Sequence, residues 1–108
     1  MILSTFDQPK LDSWVNAHAF ARFTPQTITD ANHFRARILA ARQLGYSSTD
    51  QFINRGIRGL AVALIDRSGS CLGALSLTFQ IQAYPKEGFL VKLLPALQDT
   101  AQALRGIL

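Results

Sequence analysis

Gly59-Leu-Ala-Val-Ala-Leu-Ile-Asp66 and Cys71-Leu-Gly-Ala-Leu-Ser-Leu-Thr-Phe79 are two apolar runs separated by Arg67-Ser-Gly-Ser70. Four turn-forming residues between two such runs make a β-hairpin. Successive side chains alternate across a strand, so a register with Asp66 opposite Cys71 sorts the hairpin into two faces. Leu60 faces Leu77 and Val62 faces Leu75 on one side. Gly59, Ala61 and Ala63 face Thr78, Ser76 and Ala74 on the other. One face is bulky, and the other is lined by small residues with two hydroxyls standing on it.

The bulky face needs a cover. Leu90, Leu93, Leu94, Leu97, Ala101, Leu104 and Leu108 recur at three and four residues, the spacing of a sheet-facing helix. Pro95 falls inside this stripe and is expected to kink or divide the helix, because it lacks a backbone donor and crowds the preceding turn. Upstream of the hairpin, Asp7 can cap a short helix with Pro9 in its first turn, packing by Leu11, Trp14 and Val15. Phe23 to Ile28 reads as extended linker around Pro25. Thr29 or Asp30 then caps a second helix with Phe34, Ile38 and Ala41 on one face, and Gly45 is placed to end it in a left-handed turn. Tyr46 to Gln51 suggests a short strand, followed by a looser segment from Phe52 to Gly56. The order is helix, helix, strand, hairpin, helix, and the class is α+β: an antiparallel sheet with helices packed on it.

The composition belongs to one ordered domain. In 108 residues, 48% are hydrophobic and 17% charged, so the chain has the apolar content that disorder lacks. Its net charge of +4 comes from eight arginines and three lysines spread along the sequence without a block. A nucleic-acid footprint concentrates charge on one face, so this diffuse balance reads as a solvated surface. Arg35, Arg37 and Arg42 offer only a loose basic patch. A single cysteine, Cys71, excludes an internal disulfide, and two histidines, His18 and His33, leave no metal-ligand cluster. The expectations are a cytoplasmic protein without a membrane span, metal or cofactor.

Nothing in the sequence points to catalysis. Ser76, His18 and Asp50 supply the residue types of a hydrolytic triad, but no serine lies in a nucleophile elbow and no glycine spacing makes a phosphate loop. Cys71 lacks an evident base and reads as a small structural residue. The face of small residues has two readings. It can lie under a closely packed element, with its hydroxyls bonded to backbone or water, or it can line a ligand site in which Ser76 and Thr78 act as donors. Periodicity leaves both open.

From Thr24 onward the chain also resembles the effector-binding domain of IclR-type regulators. The similarity is greatest to the subgroup that controls aromatic-acid breakdown, the PcaR, PcaU and PobR type. The residues that carry it are Phe23-Thr-Pro-Gln-Thr-Ile-Thr-Asp30, Gly45-Tyr46, Asp50-Gln51, Gly56-Ile57-Arg58, Leu60-Ala61-Val62, Asp66 with Gly69, Leu75-Ser76-Leu77-Thr78 and Leu94-Pro95-Ala96-Leu97. This resemblance implies that residues 1–108 are the C-terminal part of a single GAF-like (profilin-like) effector domain. A winged helix-turn-helix and the first part of that domain would lie outside the chain. It implies a small organic acid, aromatic or dicarboxylic, as effector, with operator DNA reached only through the winged helix-turn-helix and a homodimer or tetramer as the assembly. The family's ligand contacts fall on Thr49, Ile57, Gly59, Ser76 and Thr78. Three of these are on the small face derived from hairpin register. Thr49 stands where the family commonly has an acid, Phe52 where it usually has glutamate, and Ala63 where proline is common. The rival reading is a structural or oligomerisation module without a metabolite.

Overall fold

In the computed structural model, which describes residues 1–84 and 88–107, the hairpin strands are β2 (Ile57–Ile65) and β3 (Cys71–Gln80). A four-residue strand β1 (Ser47–Asp50) pairs with β2 on its other side, giving an antiparallel sheet of order β1-β2-β3. Gly59 lies opposite Thr78, Leu60 opposite Leu77, Ala61 opposite Ser76, Val62 opposite Leu75 and Ala63 opposite Ala74, the register that alternation predicts.

The turn departs from it. Cys71 pairs with Ile65 and not with Asp66, across an irregularity at Leu64/Ile65. Asp66 is taken out of the ladder because its carboxylate accepts the Ser68 and Ser70 N–H groups, each at 2.9 Å, and the Ser68 hydroxyl at 2.6 Å. A short side chain that binds the backbone ahead of it makes its own turn and displaces the pairing by one residue. Gly69 supplies the positive φ of 89° that the tight return requires.

The last helix, α3 (Phe89–Arg105), covers the bulky face. Leu60, Val62, Phe89 and Leu97 form the buried core there, with Leu75, Phe79, Leu90, Leu93, Leu94 and Ala101 packed around them. Burying an aliphatic side chain of this size contributes about 1.5–3 kcal/mol, so this interface holds the sheet to its helix. The helix runs unbroken through Pro95, which is exposed, so the expected division does not occur. Leu108, the end of the predicted stripe, lies outside the described residues.

A second core forms between α1 (Gln8–Ala17) and α2 (Ala31–Leu44), where Leu11, Val15 and Ile38 are buried against Trp14, Phe20 and Phe34. Both helices begin as the sequence indicates. The Asp7 carboxylate accepts the Lys10 N–H, and the Asp30 carboxylate accepts those of Asn32 and His33. Gly45, at φ 79°, ends α2 in the left-handed conformation. The three arginines of α2 do not form a free patch. Arg35 pairs with Asp12 at 3.0 Å, Arg42 donates to the Ser4 and Phe6 carbonyls, and Arg37 donates to the Ser48 carbonyl and lies over the Phe52 ring. Their charge ties α2 to α1, to β1 and to the 3-10 turn Ile2–Thr5 that precedes α1.

Candidate functional site: a cleft on the small-residue face

Opposite α3, the sheet presents Gly59, Ala61, Ala63, Ala74, Ser76 and Thr78, and here the chain leaves a cleft of about 440 Å³. That volume suits a small organic molecule. Thr49, Ile57, Gly59 and Thr78 line its sheet side, so the structure brings together four of the five residues singled out from sequence. Ser76 is exposed, opposite Ala61 on the same face, and lies beyond the lining of the cleft.

The facing walls are aromatic. Phe20 and Phe23 come from the segment between α1 and α2, Phe34 from α2 and Phe52 from the loop after β1. Phe20 and Phe34 pack with ring centroids 4.7 Å apart. Sequence reasoning missed this wall. The signal available was that Phe20, Phe23 and Phe52 belong to no amphipathic repeat, so no helix or strand face accounts for them.

Two threonines hold the loops that carry the wall. The Thr24 hydroxyl donates to the Gln51 carbonyl, and the Thr27 hydroxyl donates to the Phe52 carbonyl while accepting the Phe23 and Thr24 N–H groups at 3.1 and 2.9 Å. Gln51 adds a closure of its own, its side-chain oxygen accepting the Gly56 N–H at 3.0 Å. The segment read as linker is thus the clamp on the loop from 51 to 56. These bonds satisfy backbone groups that irregular chain would otherwise bury unpaired.

No described residue lining the cleft is charged; its polar side chains are Thr27, Thr49, Asn54 and Thr78. The Thr27 hydroxyl is already committed to the clamp, which leaves Thr49, Thr78 and Asn54 to meet a ligand. Thr49 lies across from Gly59 in the β1–β2 ladder, and the approach is close. A Cβ at position 59 would stand 2.6 Å from the Thr49 hydroxyl oxygen. Gly59 is the residue that permits this contact.

Charge sits on the other face. Arg58 is buried, and its Nε and Nη2 donate to one oxygen of Asp50 at 3.2 and 3.1 Å, with the guanidinium over the Phe89 ring. The pair locks Asp50 to its β2 partner at the end of the short strand, one residue from Thr49. Asp50 and Ser76 therefore lie on opposite faces of the sheet, and His18 gives its ring Nδ1 to the Trp14 carbonyl oxygen. The three residue types of a hydrolytic triad do not assemble. Among the described residues no helix is long and apolar enough to cross a membrane.

The comparisons with known proteins agree with this architecture. The p-hydroxybenzoate hydroxylase transcriptional activator of Acinetobacter baylyi is 28% identical over 107 residues, and the Pca operon regulatory protein of the same organism is 26% identical over 108. The chain covers 99% and 100% of itself in these matches but spans 40% and 39% of those relatives. A crystal structure of a double mutant of the PobR inducer-binding domain from Acinetobacter, in complex with 3-hydroxybenzoic acid, superposes with a TM-score of 0.93 at 28% identity. That match covers 99% of this chain and 61% of the other. The C-terminal domain of the Escherichia coli regulator KdgR, at 23% identity, shares the fold with a TM-score of 0.86 over 97% of this chain and 63% of the other. Residues 1–105 match the family described as bacterial transcriptional regulator IclR C-terminal, and the chain belongs to that family.

Proposed function

We propose that the chain is the ligand-sensing part of a bacterial transcription regulator, and that its effector is a small aromatic acid bound in the cleft on the small-residue face. The observation that carries this reading is the cleft itself. Four positions inferred from the family resemblance, Thr49, Ile57, Gly59 and Thr78, line one volume with Phe20, Phe23, Phe34 and Phe52 around it. A planar ring fits between aromatic and small apolar walls, and the free hydroxyls offer hydrogen bonds to its oxygen substituents. The similarity to the Acinetobacter PobR inducer-binding domain, seen in complex with 3-hydroxybenzoic acid, supports an aromatic hydroxy acid as the class of ligand.

The chain works as a sensor and not as an enzyme. Among the described residues the cleft offers no acid–base pair, and their uncharged lining suits reversible binding. Operator DNA is contacted through a winged helix-turn-helix outside residues 1–108, as the family resemblance implies, and the α2 arginines, engaged in contacts within the chain, do not make a rival DNA-binding patch. The regulator acts in the cytoplasm as a homodimer or tetramer, and the effector favours one subunit arrangement by binding it more tightly. An interaction module is the second reading, favoured by the exposure of Ala74 and Ser76 beyond the cleft.

Isothermal calorimetry with 3-hydroxybenzoate, 4-hydroxybenzoate and protocatechuate tests the sensor. Saturable binding by one of them is expected. In the Thr78→Val variant the affinity should fall by about fivefold or more, the equivalent of one hydrogen bond, whereas Ser76→Val, beyond the lining of the cleft, should leave it nearly unchanged. Unchanged affinity in the Thr78→Val variant would remove that hydroxyl from the site. Absence of binding by all three acids would favour the interaction module.

A further inference from the structure

We infer that Gly59 is a positioning residue: its missing side chain seats the Thr49 hydroxyl against strand β2 on the cleft floor, and the pair reads an oxygen substituent of the ligand. This rests on the cleft being the effector site. It adds to that reading a steric coupling between two residues of the cleft floor.

The geometry starts with the ladder. Thr49 and Gly59 are directly paired across β1 and β2, and both side-chain positions project to the small-residue face. Every other amino acid at 59 carries a Cβ, which would meet the Thr49 hydroxyl oxygen at 2.6 Å, closer than such atoms approach. Its next neighbour, the Leu77 carbonyl oxygen at 3.8 Å, would be in ordinary contact. The conflict is therefore confined to one movable group. Gly59 has no positive φ, so alanine suits its backbone.

An alanine at 59 should leave the fold intact and turn the Thr49 side chain about its Cα–Cβ bond. Threonine has few alternatives, because branching at Cβ restricts it to well-separated rotamers. The hydroxyl would leave its place by a whole rotamer step. Gly59 and Thr49 then act as a unit: glycine supplies the space, and threonine fills it with a donor that can also accept. No described residue lining the cleft carries a charge, so a neutral hydroxyl here gives a ligand oxygen a hydrogen bond without a counter-ion. The floor is suited to a phenolic or carboxylate oxygen on a flat ring.

A double-mutant cycle tests the coupling. With 3-hydroxybenzoate as probe, Thr49→Ala and Gly59→Ala should each weaken calorimetric affinity by about five- to tenfold, the loss of one hydrogen bond. In the Thr49→Ala background, where no γ atom remains to meet the new Cβ, Gly59→Ala should change affinity by less than about twofold, because the hydroxyl it displaces is already gone. Multiplicative losses across the cycle would overturn the positioning role. Three-bond scalar couplings to the Thr49 methyl carbon, measured without ligand, provide a separate reading: Gly59→Ala must change the Thr49 rotamer, and an unchanged rotamer overturns the inference even if affinity falls. If the parent protein binds neither 3-hydroxybenzoate nor 4-hydroxybenzoate, the effector reading of the cleft fails, while a rotamer switch would still establish the steric pair.

Discussion

Asp66 shows how one side chain sets a local structure. Its carboxylate accepts two backbone N–H groups and a hydroxyl, and these bonds hold its pKa below the ordinary carboxylate value, the Ser68 hydroxyl first and the Ser70 N–H second. The bonds favour the ionised form. A carboxyl whose folded pKa is depressed contributes stability that is present above the unfolded pKa and is lost as pH falls through the folded one. The hairpin turn should accordingly loosen only in acid, below the lowered pKa of Asp66. Ser70 amide exchange followed by NMR should show protection falling in that window, and Asp66→Ala should remove the protection at every pH. Protection that persists through the acid range would show that the turn does not depend on this carboxylate.

At the scale of the element, α3 is instructive because it contains a residue that usually ends a helix. Pro95 deletes one intrahelical hydrogen bond, yet α3 continues for ten more residues to Arg105. Packing explains this: Phe89, Leu93 and Leu94 before the proline and Leu97 and Ala101 after it lie against the sheet, so burial on both sides outweighs the lost bond. The proline itself is exposed. Pro95→Ala should therefore restore a backbone bond without opening a cavity and raise stability by about 1–3 kcal/mol, read from the urea midpoint. A lower midpoint would mean that the proline shapes α3 to fit the sheet.

At the scale of the whole molecule, the sheet divides its two faces between two tasks. The face with Leu60 and Val62 is buried under α3 and carries stability; the face with Gly59 and Thr78 is left open enough to hold a cleft. Alternation along β2 places Leu60 next to Gly59, so one strand serves both. Leu60→Ala should cost about 2–5 kcal/mol by the removal of a fully buried side chain, measured by denaturant unfolding, and should weaken ligand binding only through the folded fraction. A loss of affinity in fully folded Leu60→Ala protein would show that the core and the cleft are coupled.

The sequence by itself determined the α+β class, the caps of α1 and α2, the left-handed end of α2 at Gly45 and the pairing of Gly59 with Thr78. These follow from periodicity, from capping chemistry and from alternation, all of which act over a few residues. The tertiary structure alone decided the bulge beside Asp66, the continuity of α3 through Pro95 and the aromatic walls of the cleft. Thr24 and Thr27 reach carbonyls 27 and 25 residues away, and that pairing brings Phe23 and Phe52 to the same opening. No local pattern encodes a bond between two irregular segments, because neither segment has a period. The closeness of Gly59 to Thr49 belongs to both levels: a glycine in a strand signals close approach, and only the fold reveals that the approaching group is a hydroxyl on β1.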